Sequence, residues 1–338
     1  MLTRYARAPA FFAMTALVAA LAACGPPSAR GQTSALALDQ TIVLKDVAGR
    51  IDHLATDEAH ERLFVAELGN GSVDALDLKD GMVLGRIGAL KEPQGLAYLP
   101  AFDLVAVAGG GDGAVRFYRA ADLAPMGTLA LGDDADNLRL DPKSGQLIAG
   151  YGSGGLAIID PGARQLVARV PLPAHPESFQ LEPGGPRLYV NLPGAHRIAV
   201  VDRALGKTVA TIGTGAAFAN FAMAIDPRAQ RLAVVFRAPP ELRVYNLLDH
   251  ALVATLRTCG DADDIFLDGP RNRFYVTCGE GAVDVIAARG AGYVSLGRIP
   301  TAPGARTGLW SAKRDRLYVA APARGGAGAR ILVLKPTP

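Results

Sequence analysis

Acidic, imidazole and amide side chains recur along this chain as adjacent pairs: Asp52 with His53, Asp136 with Asn137, Glu177 with Ser178, and Asp263 with Asp264. Gln94, after Pro93, and Arg306, before Thr307, hold the corresponding places in two further stretches, and Phe221 with Ala222 in another. Carboxylates and imidazoles bind cations, while carboxylates, amides and hydroxyls hold amino, hydroxyl or sugar groups. His53 with Asp136, Glu177 and Asp264 is the set best suited to a metal such as Ca, Mn or Zn. A plainer role is also open to these acids: ending strands, accepting backbone hydrogen bonds and surrounding water. The commonest hydrolase signatures, Gly-x-Ser-x-Gly and His-Glu-x-x-His, are missing, so no catalytic residue is assigned. Gly150-Tyr151-Gly152-Ser153-Gly154-Gly155 fits a dinucleotide-binding pattern, but Leu156-Ala157-Ile158-Ile159 follows it and reads as a strand. Without a helix N-terminus to receive phosphate, the glycines read as a hairpin turn.

Residues so far apart can share a site if a repeat folds them around one axis. A motif of a basic or polar residue, two apolar or aromatic residues and a small apolar one recurs. Its clearest copies are Arg62-Leu63-Phe64-Val65, Arg187-Leu188-Tyr189-Val190, Arg273-Phe274-Tyr275-Val276 and Arg316-Leu317-Tyr318-Val319. Weaker copies begin at Asp103, Gln146 and Arg231, and the second residues of all seven lie 41 to 44 positions apart. Before the motif, Asp57, Asp141, Glu182, Asp226 or Asp268 closes a short apolar strand, and Pro142, Pro227 and Gly269-Pro270 supply turns. Two more strands follow, such as Ser72 to Leu78 and Met82 to Ile87. Four short strands at this period are the mark of a propeller blade, so the expected fold is all-β: a seven-bladed β-propeller with four antiparallel strands per blade. The last unit stops after Ile331 to Leu334, one strand short. Thr41 to Lys45, a strand with no unit of its own, is expected to complete that blade and close the ring.

Inner strands line a propeller's channel, so these pairs should crowd at one mouth. The expected ligand site is therefore Asp52, His53, Gln94, Asp136, Asn137, Glu177, Ser178, Asp263, Asp264 and Arg306.

The repeats resemble the YVTN family of β-propeller proteins, frequent among exported and surface proteins of bacteria. Tyr275-Val276-Thr277-Cys278 comes nearest to the name motif, departing at Cys278, and the resemblance extends from about Thr41 to Leu334. Gly49 to Ala55 and Cys259 to Asp264 look like features of one exported subgroup. With a single Trp, Trp310, and no Trp-Asp dipeptide, the chain does not resemble the Trp-Asp class of propellers. The resemblance implies the fold and no particular activity. The expected role is a binding module presenting its channel mouth to a small ligand or an envelope protein, as a monomer. The alternative is a propeller enzyme, either a metal-dependent lactonase-like hydrolase or a quinoprotein dehydrogenase-like subunit. No cofactor is expected beyond a divalent cation in the channel.

The N-terminus carries Arg4 and Arg7, then an apolar run from Ala10 to Ala22, shorter than the roughly 20 residues a spanning helix needs. Leu21-Ala22-Ala23-Cys24-Gly25 resembles the bacterial lipobox, which implies cleavage before Cys24 and its lipidation; an ordinary signal cut near Ala23 is the alternative. Residues 1–23 are thus expected to be a signal peptide, 24–36 a lipidated Cys and flexible tether, and 37–338 the propeller. Gly25 after the cysteine favours the periplasmic face of the outer membrane, with the bilayer as a partner through Cys24. Two of the three net positive charges are Arg4 and Arg7, so the body is near neutral and nucleic acid is not an expected partner. Cys259 and Cys278 remain; in an exported protein they suggest a disulfide, with a redox-active pair or two metal thiolates as the other readings.

Overall fold

A computed structural model of the chain describes residues 1–3 and 34–338. The expected signal segment from residue 4 onward, Cys24 and the tether as far as residue 33 lie outside the described residues. From Leu36 to Pro336 the chain is strand and turn, with two single-turn 3-10 helices at Leu68–Asn70 and Pro193–Ala195.

The strands form seven sheets, each of four antiparallel strands, and in six of them the strands are consecutive in the chain. The first sheet runs from an inner strand Leu54–Asp57 through Arg62–Glu67 and Ser72–Asp77 to an outer strand Val83–Ile87. The later inner strands are Pro93–Leu99, Ala135–Leu140, Phe179–Leu181, Phe218–Asp226, Ala262–Asp268 and Thr307–Ser311. Thr307–Ser311 packs against Leu54–Asp57, so the last sheet meets the first and the ring closes. The expected seven-bladed propeller is what this chain forms.

Burial explains the repeated motif. The second strand of a blade lies between its neighbours and between adjacent sheets, so Arg62–Glu67 and Leu104–Gly109 are buried from end to end. The motif's second residues, Leu63, Leu104, Leu147, Leu188, Leu232, Phe274 and Leu317, are at most 3% exposed. A strand covered on both faces is uniformly apolar, which makes it conspicuous in the sequence. Outer strands, such as Gln165–Pro171, are largely exposed. The recurring acid before the motif is a turn former. Asp57 accepts from the Ala59 and His60 amides at 3.1 and 3.2 Å, and Asp226 from those of Arg228 and Ala229 at 3.0 and 3.1 Å. Gly150 to Gly155 is the expected hairpin, with Leu147–Tyr151 paired antiparallel to Gly155–Asp160.

Closure follows the expected scheme with one correction. The closing strand is Leu36–Val43, not Thr41 to Lys45, and it pairs with Arg330–Pro336 from Leu36 opposite Pro336 to Val43 opposite Arg330. An irregularity between Leu38 and Gln40 interrupts the alternation, so the polar run Asp39-Gln40-Thr41 conceals the strand's first half. Leu36 and Ile42 are nevertheless buried to 1% and 2% exposure.

One buried acid has a consequence for stability. Glu67 is fully buried; it accepts a bond from the Ser72 hydroxyl and sits beside Asp74, to which Arg86 is bidentate at 2.5 and 2.7 Å. Burial, with the charge of Asp74 added, pushes the Glu67 carboxyl up to about 7. A carboxyl raised above its unfolded value favours the fold at low pH, and that contribution is lost as pH rises from the ordinary glutamate range through about 7. Glu67→Gln is therefore expected to stabilise the protein at pH 8 by on the order of 1–2 kcal/mol and to change it little at pH 4. Denaturant melts at the two pH values check this; an equal effect at both would contradict it.

Candidate functional site

The loops entering the inner strands bend over one end of the channel. Five of them carry a residue in the left-handed region, Gly49, Glu92, Asp134, Asp261 and Gly304, and Ala219 within the strand Phe218–Asp226 is the sixth. Just beyond, the inner strands bulge. Asp52 and His53 together face Ala66, and Glu177 and Ser178 together face Asn191. The pairing also slips by one residue between Pro93 and Leu96, Ala135 and Leu138, Asn220 and Ala222, and Ala262 and Asp264. In a regular strand neighbouring side chains point to opposite faces, whereas a bulge lets both turn inward. Gly95 permits close packing here, because a Cβ on it would lie 2.1 Å from the Asp136 carbonyl.

Nine of the ten expected residues line a single cavity of about 170 Å3 at this mouth: Asp52, His53, Gln94, Asp136, Asn137, Glu177, Ser178, Asp263 and Arg306. The tenth, Asp264, faces a second cavity deeper in the channel. Five further residues line the mouth without having been assigned to it: Arg50, Asp134, His175, Phe221 and Arg237. Phe221 is aligned with the pairs in sequence, and His175 lies two residues before Glu177. Arg50, Asp134 and Arg237 come from loop positions and from the end of a second strand, Arg231–Ala238, outside the aligned places.

The mouth has two electrostatically different halves. On one side arginines neutralise the acids. Arg50 bonds Asp52 at 2.7 Å; Arg237 bonds Asp263 at 2.6 Å and lies 3.7 Å over the Phe221 ring; Arg306 contacts Asp261 at 3.0 Å and Asp263 at 3.2 Å. Thr277 fixes this half by donating to the Arg306 carbonyl at 2.6 Å. Burial pushes Asp52 up to about 6, against the opposing pull of His53 and Arg50.

The other half holds acids without arginine partners. His175 is 3.6 Å from Asp134 and 3.8 Å from Asp136, and its Nδ1 lies 2.6 Å from the Gly152 carbonyl. Burial opposes its charge, but Asp136, Gly152 and the nearby acids outweigh that and hold it at about 9. Gln94 donates to Asp134 at 3.1 Å. Glu177 makes no ion pair among the described residues, and burial, with the charge of Asp136, raises it to about 7. Asn137 is 3% exposed, and its Oδ1 has no hydrogen-bond partner among the described residues. Ser178 is held by the amide of Asn191, which Asn220 in turn bonds at 3.0 Å. This half offers an acceptor-rich surface of carboxylates, with the Asn137 oxygen buried behind it.

The set His53, Asp136, Glu177 and Asp264 is not drawn together as one ligand cluster. Asp264 turns away from the mouth, accepting from the Gly308 amide at 2.9 Å, while Asp136 faces His175. Among the described residues, the group whose donor atoms lie within 4.8 Å of one another is Asp57, His60 and Asp103, in the turns that follow the inner strands. Arg62 already bonds both of those aspartates, at 2.6 and 3.0 Å. The two cysteines form a disulfide with their Cα atoms 5.9 Å apart, settling that pair as a covalent staple of the sixth blade.

No protein-family model matches the chain, and no curated protein matches it by sequence. Solved structures match it in shape. One is a chain of Kuenenia stuttgartiensis hydrazine synthase, at 15% identity and a TM-score of 0.71 over 82% of this chain and 94% of that one. Another is a chain of a mitotic checkpoint complex, at 15% identity and a TM-score of 0.77 over 98% and 99%. At such identity the likeness is one of fold, and together with the sheet order it makes the chain a seven-bladed β-propeller.

Proposed function

We propose that this propeller is a ligand-binding module of the bacterial envelope, of the YVTN sort, that holds a small cationic or polyhydroxylated ligand in the acid-lined half of its mouth. The observation that carries this reading is the cluster Asp134, Asp136, Glu177 and Asn137. Among the described residues its acids lack arginine partners, and the buried Asn137 oxygen beside them accepts no hydrogen bond. An ammonium donating to these carboxylates would make charge-assisted hydrogen bonds, roughly twice as strong as neutral ones. A cavity of about 170 Å3 has room for roughly five or six water volumes, the size of an amine or single sugar unit. Anchorage through lipidated Cys24, at the periplasmic face of the outer membrane, is part of the same proposal and rests on the lipobox resemblance.

Calorimetry with a panel of diamines, amino sugars, Ca and Mn tests the site. Glu177→Gln and Asp136→Asn are each expected to weaken the bound member about tenfold or more. Because Glu177 ionises near pH 7, affinity for a cation should rise about tenfold between pH 6 and pH 8 in the parent chain. That dependence should shrink in Glu177→Gln. No binding by any panel member, or binding indifferent to both substitutions, would sink the proposal. A stoichiometric metal in purified protein, lost in Asp136→Ala and accompanied by lactone hydrolysis, would favour the hydrolase instead.

A further inference from the structure

His53 separates two compartments of the channel. One side of its ring faces Asp52 across 3.7 Å at the mouth; the other faces Asp264 across 3.9 Å. Beyond it lies the second cavity, about 230 Å3, whose wall includes Leu54, Leu96, Arg139, Phe266 and Trp310. This chamber differs in chemistry from the mouth. Its acid, Asp264, is already engaged by the Gly308 amide and by His53. Its cation is not. Arg139 donates to the Leu138 carbonyl at 2.8 Å and lies 5.8 Å from the Phe179 ring, but it has no carboxylate within 4.0 Å among the described residues. The mouth arginines Arg50, Arg237 and Arg306 all have one. Burial lowers the pKa of the Arg139 guanidinium, and the more distant charges of Asp264 and Asp136 offset this only in part. The wall also includes Trp310, whose indole N–H is buried without an acceptor among the described residues.

A partly buried guanidinium in apolar surroundings calls for an anion, and its planar fork fits a carboxylate. We propose that this inner chamber is a second binding site, for a small monocarboxylate with a flat apolar body: the carboxylate on Arg139, the body against Leu54, Leu96, Phe266 and Trp310. It shares only His53 with the mouth site and differs from it in charge preference. An amine belongs above His53 and a carboxylate below it.

Trp310 is the only tryptophan of the chain, so its fluorescence reports on this chamber. Benzoate is the probe, with benzyl alcohol and benzylamine as isosteric controls. Benzoate is expected to change Trp310 emission saturably and the controls are not. Arg139→Gln should weaken benzoate roughly tenfold or more and Arg139→Lys less, because an ammonium keeps the charge and loses the fork. Glu177→Gln at the mouth should leave the benzoate titration unchanged, which separates failure here from failure there. A linear, unsaturable response, or benzyl alcohol acting as well as benzoate, would overturn the inference on the parent protein alone, whether or not Arg139→Gln folds.

Discussion

A chain beginning at Leu44 is expected to lose most of the stability of one beginning at Ser34. The missing segment is the fourth strand of the seventh blade, joined along its whole length to Arg330–Pro336. Leu36 and Ile42 are almost wholly buried. Each belongs to a different core cluster, one containing Leu317 and Leu332, the other Leu63 and Tyr318. Burying two such side chains contributes about 3–6 kcal/mol, before any loss from the opened edge of Arg330–Pro336. A single domain has only about 5–15 kcal/mol in total. The shortened chain should therefore melt at much lower denaturant, or fail to remain soluble because an unpaired strand edge invites association. Leu36→Ala and Ile42→Ala in the longer chain should each cost about 2–5 kcal/mol. Equal midpoints for the two chains, measured by urea titration, would remove the closing strand from the account of what holds the ring.

The second large effect concerns Cys259 and Cys278. The bond closes a separation of 19 residues, and both cysteines are fully buried. In the chain-entropy account such a loop contributes about 3 kcal/mol by restricting the unfolded chain. Replacing both residues with Ala should lower the unfolding free energy by about that amount. The same change should loosen one half of the mouth, because the closed loop contains Asp261 and Asp263, the partners of Arg237 and Arg306. Urea melts give the first quantity. For the second, the entry to Ala262–Asp268 should lose amide protection selectively; uniform loss across all blades would show that the bond acts on global stability alone.

The blade count and the sheet order were legible because the signal is redundant. Each buried second strand announces itself by an apolar run, and the turn acids at Asp57, Asp141, Asp226 and Asp268 mark where it begins. The first half of the closing strand was not legible. Its exposed face and its irregularity at Leu38 to Gln40 break the alternation that betrays a strand. For the mouth, aligning the blades was enough to bring the pairs to one end of the channel, since equivalent positions of a ring face the same axis. Alternation would have sent only one member of each pair inward. The bulges at Asp52-His53 and Glu177-Ser178 bring both, and no residue type in those pairs signals a bulge. Arg50, Asp134 and Arg237 were hidden for a related reason. They reach the cavity from irregular loops or from the far end of a second strand, so no shared register links them. The division of the channel by His53 depends on which way Asp264 turns. That is fixed by the Gly308 amide some forty residues later, a tertiary contact with no local signature.

The pairing of Leu36 with Pro336 also bears on how the molecule is made. As the chain emerges from a ribosome or a translocation pore, the strand Leu36–Val43 must wait for its partner Arg330–Pro336. Six blades can assemble from neighbouring segments as they appear, whereas the seventh joins the earliest residues to the latest. Local contacts form quickly and such distant ones slowly. The seam is then the last part of the nascent ring to seal, and an interrupted translation product leaves it open.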